Sequence, residues 1–129
     1  MDTELVVCPV EGKGRGVRAS RSFARYEVVE SASVLVLTAE DWSVIEGTIL
    51  GQYAFRWGDD GDERALALSI ASFFNHSYAP NTCPKLRLDD LRIDFLAMDP
   101  IAEGDELTFN YNGRPSDRAP LWFMPAEDG

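Results

Sequence analysis

The chain is short of the features that staple a small secreted domain or carry a protein through a bilayer. Its two cysteines, Cys8 and Cys83, lie far apart and match neither a disulfide framework nor a metal-ligand spacing. It has a single histidine and no neighbouring Cys or carboxylate spacing to complete a metal site around it. Apolar runs are brief, Val34 to Leu37 among the longest, far below the roughly 20 residues that span a membrane. The opening Met1-Asp2-Thr3-Glu4 is acidic and lacks the basic and apolar regions of a signal peptide. These absences exclude a disulfide scaffold, a zinc finger and a helical membrane protein. The expected home is inside the cell, in the cytoplasm, or in the nucleus for a eukaryotic or viral protein.

Bases are scarce too, 12 against 22 acids, for a net charge of −10. Domains that hold a phosphate backbone by bulk electrostatics are usually basic, so direct nucleic-acid binding is disfavoured. Attraction of cationic segments is favoured. What is present fits one soluble globular domain: 129 residues, 45% hydrophobic and 26% charged, with no internal repeat or low-complexity linker.

The pattern is mostly β. Residues 5–10 are rich in branched side chains and read as a strand, followed by the glycine loop 11–16 and a returning strand over 17–20. Residues 27–37 read as extended. Thr38 reads as a helix N-cap, with Glu40 and Asp41 in the first turn and Trp42, Ile45 and Ile49 at helical spacing, which predicts an amphipathic helix over 39–51. Residues 53–55 read as a short extended piece, and 58–63 as an acidic loop that can steer a basic peptide or simply stay solvated. Residues 66–74 fit helix and buried strand equally. Residues 85–97 alternate around Asp89-Asp90 as a hairpin, and 106–111 read as a last strand. The tail carries Pro115, Pro120 and Pro125 around Leu121-Trp122-Phe123, which predicts little regular structure.

Three segments carry polar or glycine-rich detail that a bare fold does not need. Gly12-Lys13-Gly14-Arg15-Gly16 is not a P-loop, and with a strand following it is not a dinucleotide fingerprint; alone it reads as a tight turn. Phe73-Phe74-Asn75-His76-Ser77-Tyr78-Ala79-Pro80-Asn81 packs hydrogen-bonding side chains around the one histidine, and reads equally as turn or binding loop. Gly104-Asp105-Glu106-Leu107-Thr108-Phe109-Asn110-Tyr111 reads as turn then strand.

In this order the three segments resemble the SET domain family, whose members are mainly lysine methyltransferases that use S-adenosylmethionine. The resemblance covers residues 5–113 and implies a mainly β fold with short helices, a β-clip of small sheets closed by a C-terminal pseudoknot. It divides the chain into a SET domain over 1–113 and a tail over 114–129. It implies that backbone around Lys13, Gly14, Arg15 and Gly16 holds the methionine part of the cofactor, with Asn75 and His76 on its adenine and carboxylate side. Tyr111 takes the place of the family's catalytic tyrosine, and Tyr53 that of a second tyrosine on the lysine channel. Trp122 and Phe123 stand as an aromatic lid where many relatives have a cysteine-rich zinc segment.

Two departures stand out. Tyr78 occupies the place of a cysteine common among relatives, and Asn110 that of an aspartate. The implied partner is a protein or peptide carrying a lysine in a basic segment, with no membrane partner, and a homodimer is one way to complete a peptide groove. The alternative function is a module that keeps the fold and binds without turnover.

Overall fold

The computed structural model describes residues 4–112 together with 116, 118 and 119. Its strands are β1 (Leu5–Val10), β2 (Gly14–Ala19), β3 (Val28–Leu37), β4 (Phe55–Trp57) and β5 (Glu63–Ala67), with a helix α1 (Ala39–Ile45) after β3. They continue as β6 (Asn75–His76), β7 (Thr82–Arg87), β8 (Arg92–Ala97) and β9 (Thr108–Phe109). Among the described residues no helix is long and apolar enough to cross a membrane.

Glycine decides the first hairpin. Gly12 and Gly14 take φ values of +77° and +75°, left-handed torsions that cost other residues dearly. The turn is therefore tight, and β2 starts at Gly14 rather than at Val17, with Val10 facing Gly14 and Cys8 facing Gly16.

Five antiparallel strands form the main sheet in the order β4-β5-β3-β8-β7. One face is apolar: Ala32, Val34, Ala65, Ala67, Ile93, Phe95 and Ala97 are all buried. The other face is mixed: Leu35 pairs with Leu66 on it, beside a polar stretch where Ser31 Oγ donates to Asp94 Oδ1 at 2.5 Å and Arg92 Nη1 donates to Ser33 Oγ at 2.8 Å. This division follows from the period of two along each strand. The predicted hairpin is present as β7 and β8, with Leu86 opposite Ile93. Leu88 falls in the turn instead of alternating with the strand. Pro84 is tolerated because β7 is an edge strand.

The predicted helix over 39–51 is cut to α1. Ile49 is 67% exposed and no residue of α1 is buried, so the apolar spacing does not bury a common face. The chain instead turns sharply: a methyl group on Gly51 would lie 2.4 Å from the Glu46 carbonyl oxygen. A 3₁₀ helix, Ile49–Tyr53, follows, so Tyr53 ends a helical turn and is not extended. The N-terminal prediction does hold. Thr38 Oγ1 accepts from the Asp41 N–H at 3.0 Å, and Asp41 reaches back to the Thr38 N–H, forming a capping box. Thr38→Ala is expected to cost about 1 kcal/mol in urea unfolding. A change below about 0.3 kcal/mol would show that this short helix is held by other contacts.

The ambiguous stretch 66–74 divides. β5 ends at Ala67, Ser69 Oγ accepts from the Ala71 N–H, and a 3₁₀ turn covers Ile70–Phe73. The last predicted strand shortens to β9, because its residues bond to different neighbours. Leu107 N–H donates to the Val17 carbonyl at 2.8 Å and Ala19 N–H to the Asp105 carbonyl at 2.9 Å, both on the β2 side. Beyond Leu107 the chain pairs in parallel with β6, Asn75 beside Thr108 and His76 beside Phe109. Asn81 clamps this crossing from the third side. Its amide donates to the Glu106 carbonyl at 2.8 Å and its oxygen accepts from the Thr108 N–H at 3.0 Å.

A run of aromatic rings links this crossing to the core. Phe74 lies edge-on to Phe95 at 5.2 Å, Phe95 to Phe109 at 5.6 Å, and Phe109 contacts Tyr111 at 4.8 Å. Burial of Phe74, Phe95 and Phe109 stabilises the crossing against the core.

Candidate active site

The three motif segments meet around one carboxylate. Glu106 Oε1 receives the Lys13 ammonium at 3.2 Å, and Glu106 Oε2 accepts from the Asn75 amide at 2.7 Å. The same Asn75 nitrogen lies 3.0 Å from the Arg15 carbonyl, so it ties the glycine loop to β6. Lys13 and Glu106 side chains are only 12% and 16% exposed, which strengthens their attraction and makes loss of either partner costly. Gly16 fits beneath them: a methyl there would come within 2.7 Å of Asn75 Nδ2 and 2.9 Å of Glu106 Oε2. Arg15 is exposed, its guanidinium 4.6 Å from the centre of the Phe73 ring, a cation–π contact. Arg15 is the cation of this group without a carboxylate on it among the described residues.

His76 and Tyr111 sit on the other side of the β6–β9 pair. His76 is 2% exposed, and its Nδ1 accepts the Tyr111 backbone N–H at 3.1 Å, which puts the ring proton of the neutral form on Nε2. The Tyr111 hydroxyl donates to the Phe74 carbonyl at 2.7 Å. Burial first, then the nearby Tyr53 and Glu106, push this hydroxyl well above the ordinary tyrosine range. It is a neutral hydrogen-bonding group and not a base. Its proton is committed to Phe74.

A cleft of about 300 Å³, including its open mouth, is lined by Gln52, Tyr53, Ala54, Phe55, Ser72, Phe109 and Tyr111. Tyr53 and Tyr111, far apart in sequence, thus line one space. Its walls are chiefly apolar, and Tyr53 is steadied by an edge contact with Phe73 at 6.1 Å.

Of the residues singled out in the sequence, Lys13, Arg15, Gly16, Asn75, His76 and Tyr111 converge around the β6–β9 crossing, and Tyr53 joins Tyr111 in the cleft. Gly14 stands at the start of β2, with nothing within 4 Å of where a methyl would go. Trp122 and Phe123 lie outside the described residues. One residue missed was Glu106. Its signal was available: a carboxylate inside the third motif, with Lys13 in the first as an obvious counter-charge. Phe109 was missed as well, since a strand aromatic does not announce that it floors a cleft.

Known proteins bear on this arrangement. The chain is 28% identical over 120 residues to a fission yeast (Schizosaccharomyces pombe) histone-lysine N-methyltransferase specific for H3 lysine 37; the match spans 92% of this chain and 76% of that one. A crystal structure of a candidate histone methyltransferase from Plasmodium falciparum superposes with a TM-score of 0.70 at 17% identity, covering 86% of this chain and 95% of the other. The family model of the SET domain matches residues 14–112, from the start of β2 through Asn112. With its small sheets, the short helix α1 and the motif segments joined at the β6–β9 crossing, the chain belongs to the SET domain family.

Proposed function

We propose that the protein is an S-adenosylmethionine-dependent protein-lysine N-methyltransferase. The observation that carries this reading is Tyr111: its hydroxyl neutral and bonded to the Phe74 carbonyl, its side chain lining with Tyr53 one chiefly apolar cleft.

The residues present suit the cofactor's mixed chemistry. Arg15 offers a cation for a carboxylate, Gly14 leaves open space beside the loop backbone, and Asn75 and His76 border the same crossing. When bound there, S-adenosylmethionine supplies an electrophilic methyl group on a sulfonium. The chain's own residues do the rest. Phe55, Ala54 and Phe109 exclude water from the lysine stem, and desolvation lowers the amine's affinity for its proton. The Tyr111 oxygen accepts a hydrogen bond from the amine and turns the nitrogen lone pair along the line of attack. Holding two reactants in such alignment can supply several kcal/mol of the barrier. No dedicated base is needed, because a lysine that enters the apolar cleft sheds its proton to solvent first.

The relative's histone substrate and this chain's net charge of −10 both support a lysine in a basic protein segment as the target. The test is transfer from methyl-labelled S-adenosylmethionine to histone peptides and other basic peptides, with products mapped by mass spectrometry. Label on substrate lysine supports the reading. Cofactor binding with no transfer to any lysine would sink it.

The pH profile follows from the same geometry. Lysine must be neutral to react, so the rate rises with pH toward its ordinary pKa of about 10.4. Because Tyr111 is held protonated past the ordinary tyrosine range, it adds no falling limb below about pH 10. A descending limb with a midpoint near pH 8–9 in the wild type, absent from Tyr111→Phe, would contradict this.

A further inference from the structure

Two donors from different parts of the chain converge on one backbone oxygen. The Tyr78 hydroxyl donates to the Ala119 carbonyl at 3.0 Å, and the Asn112 side-chain amide donates to the same oxygen at 2.7 Å. Asn112 is 8% exposed, and its own N–H donates to Asn110 Oδ1 at 2.9 Å. That is an Asx turn, which fixes Asn112 directly after Tyr111. Asn110 is thus occupied with building the turn. Tyr78 is fixed as firmly at its other end: its ring meets the His76 ring edge-on, centroids 4.3 Å apart and planes at 89°. His76 in turn accepts the Tyr111 N–H.

We propose that Tyr78 and Asn112 form a latch on the Ala119 carbonyl that sets the position of Tyr111 through His76. The class is a positioning device, and its relevance to turnover rests on the methyltransferase reading given above. The hydroxyl bond stops Tyr78 from turning about its side-chain bonds, so its ring stays a fixed wall against His76. A fixed imidazole keeps Nδ1 aimed at the Tyr111 N–H, and that bond sets where the Tyr111 hydroxyl falls in the cleft. Asn112 holds the same carbonyl from the C-terminal side of Tyr111. Tyr111 therefore has a held residue on each side of it: His76 on its own N–H and Asn112 directly after it, tied with Tyr78 to the Ala119 carbonyl. Each donor is itself held by a second contact, so the latch is specified by more than surface proximity.

Sequence makes the latch simple to read. After Arg92 the only basic residues are Arg114 and Arg118, and Arg114 precedes Pro115, which trypsin does not cut. Cleavage at Arg118–Ala119 therefore reports release of the latched carbonyl. Trypsin is expected to cut there about fivefold faster in Tyr78→Phe and in Asn112→Ala, the size of one ordinary hydrogen bond. His76 is the single histidine, so its imidazole resonances are unambiguous. They are expected to shift or broaden in Tyr78→Phe, which keeps the ring and loses only the hydroxyl. In the methyl-transfer assay both variants are expected to lose about tenfold in kcat, with KM for the peptide within twofold.

Unchanged cleavage in both variants overturns the latch. Faster cleavage with His76 resonances and kcat both unmoved overturns the positioning role and leaves a simple tail anchor. Should the wild type transfer no methyl group, the functional reading fails, while cleavage and the His76 signal still judge the latch. Tyr78→Phe is the safe variant if Asn112→Ala does not fold.

Discussion

Tyr111→Phe is expected to lower kcat for methyl transfer about a hundredfold, with KM for both substrates changed less than threefold. Phenylalanine keeps the ring on Phe109, 4.8 Å away, and so keeps the floor of the cleft. What it removes is one oxygen, bonded to Phe74 at 2.7 Å, which the proposed mechanism uses to align the amine. Misplacing reacting groups by about 1 Å costs on the order of a hundredfold, and free rotation of the amine is a misplacement of that kind. The fold should lose only about 1 kcal/mol, the net worth of one hydrogen bond, so the variant remains testable. Steady-state kinetics beside a thermal melt separate the two effects. Turnover within threefold of wild type would remove Tyr111 from the chemistry. A deeper loss in Tyr53→Phe than in Tyr111→Phe would move the aligning role across the cleft to the 3₁₀ turn.

How well the sequence anticipates this site depends on how local each signal is. The hairpin of β7 and β8 was readable because its period of two and its turn lie within one stretch of chain. The capping box at Thr38 was readable for the same reason, being complete within four residues. The end of α1 was not. Helical spacing of Ile45 and Ile49 says nothing about what packs on them, and Ile49 remains 67% exposed while Gly51 turns the chain against Glu46. The start of β2 was masked by its glycines, which have weak strand preference but pair across from Val10 and Cys8. The β6–β9 contact is least legible of all. It joins two-residue strands far apart in the chain, in parallel, with no turn to set the register. Family resemblance supplied that juxtaposition; periodicity could not. Even so, resemblance named Lys13 and Asn75 one by one and passed over Glu106, the carboxylate both of them touch. Tyr78 and Asn110 were noticed as departures from relatives, and only geometry shows each with a bonded role of its own: Tyr78 on Ala119, Asn110 under Asn112.

Gly16→Ala should strike the fold and the candidate site together. An added methyl would lie 2.6 Å from Val10 Cγ2, 2.7 Å from Asn75 Nδ2 and 2.9 Å from Glu106 Oε2. All three distances are shorter than real carbon contacts, and none of the three atoms is a free side-chain end. Val10 is buried across the hairpin, Asn75 is bonded on both sides, and Glu106 is held by Lys13. Making room therefore breaks the Asn75–Glu106 bond or opens the hairpin. Overpacking of this kind costs about 1–3 kcal/mol, and a severed hydrogen bond adds to it, against a total stability of about 5–15 kcal/mol for a domain. Gly14→Ala is the control. There the methyl meets nothing within 4 Å, and the penalty is the φ of +75° alone, about 1–2 kcal/mol. Urea unfolding is expected to rank position 16 as costlier than position 14, and calorimetric titration with S-adenosylmethionine to show binding lost at 16. The sterics at 16 strike Asn75, which joins the glycine loop to β6, whereas strain at 14 leaves that joint whole. Equal losses of affinity at both positions would mean that loop torsion, and not the Gly16–Asn75–Glu106 contact, shapes the cofactor side of the site.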